Sequence, residues 1–101
     1  MLNITTKNEN GTVTCSLEGR LDTTTAPDLD DKLKALPKET KELILDFKDL
    51  EYISSAGLRV LLATQKAMIA KEGTMKVCNV NEMISEIFEV TGFSDILTIE
   101  D

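Results

Sequence analysis

A chain of 101 residues has room for one hydrophobic core and not for two. Its apolar share of 42% is that of a globular protein and argues against a disordered chain. Eighteen acidic residues against 11 basic ones give a net charge of -7, which disfavours non-specific nucleic-acid binding, since that needs a positive surface against phosphates. The same acidity either steers a basic protein partner or simply keeps the domain soluble. With no histidine, serine–histidine triads and histidine-ligated metals are excluded.

The N-terminus, Met1-Leu2-Asn3-Ile4-Thr5-Thr6-Lys7, has neither a basic region nor the apolar stretch of a signal peptide. No apolar run approaches the roughly 18 residues of a membrane span, so a cytoplasmic location and no membrane association are expected. Cys15 and Cys78 match no metal or redox spacing. Each lies in a strand-like run and is expected to be a reduced core residue.

In chain order, Leu2 and Ile4 alternate with polar residues, and Asn8-Glu9-Asn10-Gly11 signals a turn. Val13, Cys15 and Leu17 then alternate with Thr12, Thr14, Ser16 and Glu18, the period of a strand with one buried face. Thr23-Thr24-Thr25-Ala26-Pro27-Asp28 is a helix start, in which a threonine caps, Pro27 fits the first turn and Asp28 meets the positive dipole end. Ala26, Leu29, Leu33 and Leu36 form the apolar stripe of that helix, and Pro37 stops it. Leu43-Ile44-Leu45 shows little alternation and predicts a central strand covered on both faces.

From Ser55 to Glu72 the residues Leu58, Leu61, Leu62, Met68 and Ile69 recur at helical spacing, with Gly73 as the stop. Thr74 to Cys78 predicts a strand. Asn81 caps a third helix carrying Ile84, Ile87 and Phe88 and ended by Gly92, and Ile96 to Ile99 predicts a last strand. The order β-β-α-β-α-β-α-β implies a single α/β domain. Its mixed sheet has parallel crossovers and is covered by about three helices.

The sharpest functional signal is Tyr52-Ile53-Ser54-Ser55-Ala56-Gly57-Leu58-Arg59, where two hydroxyl residues stand at a loop-to-helix junction. Such a junction offers unpaired N–H groups and the positive end of a helix dipole, so a phosphate on serine would be held there. Serine is also a common helix cap. Arg59, one turn on, is placed to pair with a phosphate. Gly57 lets the helix start approach a strand closely or lets a partner's backbone approach. Asp22 reads either as a turn aspartate bonding its own backbone or as a contact for a basic partner residue. Asp46 and Asp49 read as a strand-end and a turn aspartate, not as a Mg²⁺ site. Met68, Met75 and Met83 read as core or gap filler.

These segments carry a resemblance across nearly the whole chain. Leu17-Glu18-Gly19-Arg20-Leu21-Asp22 with Thr25-Ala26, Leu45-Asp46-Phe47 with Asp49-Leu50, and Tyr52 to Leu58 together resemble the STAS domain family, and within it the stand-alone bacterial anti-sigma factor antagonists. The resemblance implies no enzyme, no cofactor and no metal, but a phosphorylation-controlled protein-binding switch. In the family the unphosphorylated antagonist binds an anti-sigma factor that is also a serine kinase and carries the ATP. Phosphorylation breaks the complex, and a metal-dependent serine/threonine phosphatase reverses it.

Anchored on Gly57-Leu58, the family's phosphorylated residue falls on Ser55, with Ser54 as second choice. The implied partner surface is Asp22, Ser54, Ala56, Gly57, Leu58 and Arg59. Ser54 stands where the best-known antagonists carry an aspartate. A monomer is expected for the free domain. The rival readings are a constitutive STAS subunit, as in a lipid-transport ABC system, and a small enzyme or nucleotide-binding protein. The last finds no phosphate-binding glycine loop or paired-base nucleophile in this chain.

Overall fold

The computed structural model describes residues 2–100. Strand β1 (Leu2–Glu9) and strand β2 (Thr12–Leu21) form a hairpin closed by Asn10 and Gly11, at φ 51° and 87°. Two successive positive φ angles define the tight turn whose twist matches that of the strands, and Asn-Gly is its favoured sequence. Helix α1 (Ala26–Lys34), strand β3 (Glu42–Ile53), helix α2 (Ser55–Ala70), strand β4 (Thr74–Cys78), helix α3 (Glu82–Thr91) and strand β5 (Thr98–Glu100) follow. A short 3₁₀ turn, Phe93–Asp95, lies between the last two and had no counterpart in the sequence reading.

The sheet runs β1-β2-β3-β4-β5, antiparallel at the first pairing and parallel at the other three. Each parallel crossover carries one helix and steps to the next strand in the same direction, and the right-handed rule then sends all three helices to one face. Burial agrees with this. Val13, Cys15 and Leu17 on β2, Leu43, Leu45 and Phe47 on β3, and Met75 and Val77 on β4 are buried beneath Leu29, Leu61, Ile84 and Phe88 of the helices. Their neighbours in each strand face outward. Thr14, Ile44 and Lys76 lie side by side across β2, β3 and β4, all half-buried. The expectation that β3 is covered on both faces is therefore corrected. Ile44 sits on an open polar face beside Lys76, whose ammonium is 3.3 Å from Glu42 and 3.4 Å from Glu100.

Other local readings also shift. Asp46 and Asp49 lie inside β3, which runs on past them through a bulge opposite Ser16 and Glu18. Among the described residues no group of three or more His, Cys, Asp or Glu could hold a metal ion. Asp46 instead accepts from the Lys48 N–H at 3.0 Å and from Asn79 Nδ2 at 2.9 Å. Cys15 is buried, and desolvation pushes its thiol up to about 11. Cys78 lies in register with Asp46 on the open face, so it is not a core residue, and the two free thiols stand on opposite faces of the sheet. Ile69, part of the apolar spacing of α2, and Met83, read as core or gap filler, are exposed.

Helix α2 ends at Ala70 rather than Glu72. The left-handed residue after it is Glu72 (φ 61°), and the Gly73 N–H donates to the Met68 carbonyl at 2.7 Å. Gly73 is needed for another reason: a Cβ there would come within 2.9 Å of the Lys41 carbonyl oxygen. Helix α3 follows the sequence reading. Asn81 Oδ1 accepts from the Ile84 N–H at 2.8 Å, and Gly92 ends the helix at φ 81°. Among the described residues no helix is long and apolar enough to cross a membrane.

Candidate functional site

Two strand-to-helix junctions lie side by side at one end of the sheet. Arg20 pairs with Tyr52 and Leu21 with Ile53 in the β2–β3 register, and the Ser54 N–H donates to the Leu21 carbonyl at 2.8 Å. The loop bearing Asp22 is thus held against the start of α2. A shallow groove of about 400 Å³ between α1 and α2 continues this surface, with Thr23 and Pro27 on one wall and Ala56, Arg59 and Val60 on the other.

The first junction is closed upon itself. Asp22 Oδ1 accepts from the Thr24 N–H (3.0 Å), the Thr24 hydroxyl (2.8 Å) and the Thr25 N–H (3.1 Å). These bonds, the Thr24 hydroxyl foremost, hold the Asp22 carboxyl below its ordinary pKa. The Thr25 hydroxyl donates to the Arg20 carbonyl and accepts from the Asp22 N–H, both at 2.8 Å. It makes no cap bond to α1, so the expected threonine cap is replaced by a clamp between the end of β2 and the helix start. The Asp22 main-chain carbonyl takes the Ala26 N–H at 2.8 Å. Of the two readings of Asp22, the turn aspartate is realised in full. Its other oxygen stands 4.0 Å from Arg20 Nε, and the Arg20 guanidinium lies 4.4 Å above the Tyr52 ring.

The second junction is open. Ser54 is the N-cap of α2, with extended backbone, and its Oγ accepts from the Gly57 N–H at 3.3 Å. An aspartate at 54 would cap equally well. The departure from the best-known antagonists therefore removes a charge and keeps the cap. Ser55 is the first helical residue and is exposed. Its hydroxyl has no hydrogen bond among the described residues, and neither its own N–H nor that of Ala56 has an acceptor there. The capping role considered for Ser55 thus belongs to Ser54.

Gly57 is buried for a packing reason. A Cβ would stand 2.7 Å from Leu21 Cγ and 2.9 Å from Ile53 Cγ1. Leu58 is 6% exposed and sits in the core. Neither presents a side chain to a partner, and both instead fix the height of the helix start above the sheet. Arg59 is exposed and makes no ion pair among the described residues. The stacked Arg20–Tyr52 pair and the Thr25 clamp were missed in the sequence. The stack depends on the register of β2 against β3, which shifts at two points that no local pattern announces, while the clamp is local to residues 20–25, where the threonine was read as a cap.

The STAS domain model matches residues 3–101, and the chain belongs to that family. It is 31% identical over 98 residues to the anti-sigma-B factor antagonist of Bacillus subtilis (strain 168), covering 97% of this chain and 90% of that one. Among solved structures it superposes on an anti-sigma factor antagonist from Mycobacterium paratuberculosis with a TM-score of 0.87 at 22% identity, over 98% of this chain and 85% of that one. The antagonist SpoIIAA matches in its unphosphorylated form with a TM-score of 0.79 at 19% identity, over 98% of this chain and 88% of that one. The phosphorylated form of SpoIIAA, a Bacillus cell-fate determinant, gives 0.77 at 18% identity, over 98% and 92%. These structural likenesses carry the fold.

Proposed function

We propose that this domain is an anti-sigma factor antagonist whose hold on its partner is set by a phosphate on Ser55. The unphosphorylated form binds an anti-sigma factor that is also a serine kinase, and binding frees the sigma factor. The partner carries the ATP and transfers its γ-phosphoryl to the Ser55 hydroxyl, with ADP leaving. A serine/threonine phosphatase hydrolyses the ester and restores the binding form. The domain is thus a substrate of enzymes, working in the cytoplasm.

The observation that carries this reading is the division of labour between two adjacent serines. Ser54 supplies the cap, while the Ser55 hydroxyl is exposed and unengaged among the described residues. A phosphate on Ser55 brings about -1.5 to -2 charges and three acceptor oxygens to the positive end of α2. The unpaired N–H groups there stabilise it within the domain, so the fold need not change. SpoIIAA matches this chain closely in both of its forms, which supports a local switch. A partner that had packed against a neutral hydroxyl would have to desolvate the new charge. A penalty of about 2.8 kcal/mol already corresponds to a hundredfold loss of affinity. Arg59 and the rim around Asp22 are the remaining exposed parts of the partner surface.

Intact-mass and fragment-ion analysis after incubation with a candidate anti-sigma factor kinase and ATP tests the reading. One phosphate, absent only in Ser55→Ala, is expected. Loss only in Ser54→Ala would move the site by one residue. No phosphate on any sample, with the kinase active on another substrate, would sink the switch.

A further inference from the structure

Strand β1 is the outermost strand of the sheet and is paired only on its inner side. Its register with β2 runs without a shift from Leu2 opposite Gly19 to Glu9 opposite Thr12, and it contains no proline. It lacks those usual guards of a sheet edge, the bulge and the proline. Glu9 and Thr12 close a two-residue turn and form a hydrogen-bonded pair. The alternation of an antiparallel ladder then turns the backbone groups of Leu2, Ile4, Thr6 and Asn8 outward.

The side chains of those four residues share the face of Val13, Cys15 and Leu17, on which the helices pack. Helix α1 leaves a groove of about 440 Å³ beside β1. Half-buried Leu2 and Ile4 form its floor, and Asp28, Asp31, Lys32 and Ala35 form its rim. On the same helix Asp30 is neutralised by Lys34 at 2.8 Å. Asp28 and Asp31 have no ion-pair partner among the described residues.

We propose that this edge and groove form a docking site for an extended partner segment whose groove-facing side chains, every second residue, include both apolar residues and lysine or arginine. The segment adds a strand to β1. Its main chain bonds the outward groups of Ile4, Thr6 and Asn8, while its apolar side chains cover Leu2 and Ile4. Its basic residues meet Asp28 and Asp31, in a domain whose net charge of -7 favours such a partner. A second copy of this domain would instead bring two acidic rims together. The site lies on β1 and α1, apart from Ser55, and does not depend on the phosphorylation reading.

The probe is a short peptide of repeating valine-threonine-lysine-threonine, which puts valine and lysine on one face of a strand, titrated into the ¹⁵N-labelled domain, with the same peptide carrying glutamate for lysine as control. Shifts and slowed amide exchange are expected at Ile4, Thr6 and Asn8, with the control at least about tenfold weaker. Thr6→Pro removes an outward N–H that makes no bond within the sheet and is expected to abolish binding. Asp28→Asn with Asp31→Asn, two exposed changes that leave the fold intact, is expected to weaken binding about tenfold. The proposal is overturned by any of four results: no β1 shift at about 1 mM peptide, equal binding of the control, affinity unchanged in the aspartate variant, or pairing of β1 with a second copy.

Discussion

The two helix starts at this end of the sheet are built to opposite plans. At the start of α1 the turn is closed by its own side chains: the Asp22 carboxylate takes two N–H groups and a hydroxyl, and the Thr25 hydroxyl is shared between the Arg20 carbonyl and the Asp22 N–H. At the start of α2 one bond, from the Gly57 N–H to Ser54, does the capping, and the next hydroxyl is left to solvent. A saturated turn holds its shape and offers little to chemistry. An unsaturated one, held in place by its neighbour, presents a reactive group at a fixed position.

That contrast breaks most severely if the packing beneath α2 is disturbed. Gly57→Ala drives a Cβ to 2.7 Å from Leu21 Cγ and is expected to cost up to about 3 kcal/mol in urea unfolding. A change below about 0.5 kcal/mol would mean that the helix start is free to lift. Next comes the clamp. Thr25→Val leaves the Arg20 carbonyl and the Asp22 N–H unpaired where Thr25 is 6% exposed, a loss of about 2 kcal/mol by the same measurement.

The two serines sharpen the comparison. Ser54→Ala is expected to cost about 1 kcal/mol as a lost cap, and Ser55→Ala to stay within about 0.5 kcal/mol. Equal costs would erase the division of labour on which the proposed switch rests. The smallest effect is a titration. Hydrogen bonds to its charged form lower the Asp22 pKa, so the stabilisation is complete above the ordinary value of 3.8 and is lost as pH falls through the folded value. A carbon-detected titration of the Asp22 carboxyl is expected to show a midpoint below 3.8, and a midpoint at or above it would dismiss the saturated turn.

The sequence made the order of elements and the neighbourhood of the site readable, because these rest on local signals. Asn10-Gly11, Asn81 and Gly92 each perform the local task their residue types suit. Where reading failed, the deciding contact was remote. Three successive apolar residues at Leu43-Ile44-Leu45 do not reveal that Ile44 faces Thr14 and Lys76 on an uncovered face. Asp46 and Asp49 carry turn chemistry, yet the strand absorbs them in a bulge. Gly73 looks like a helix stop, but the approach of the Lys41 carbonyl requires it, while Glu72 takes the left-handed turn. Which of two adjacent serines caps α2 was a one-residue question, settled by the strand register that fixes where β3 ends.

The strand order has a consequence for how the molecule comes into being. Every strand pairs with the one just before it in the chain. The sheet is assembled by accretion at one side, each new β-α segment finding its dock already made. No strand must wait for a distant part of the polypeptide, so the entropic penalty of closing each loop stays small. On a ribosome the hairpin of β1 and β2 emerges first and seeds the rest. The nascent domain then exposes its growing margin on one side and the outer edge of β1 on the other, and refolding from denaturant should be rapid, with a single kinetic phase.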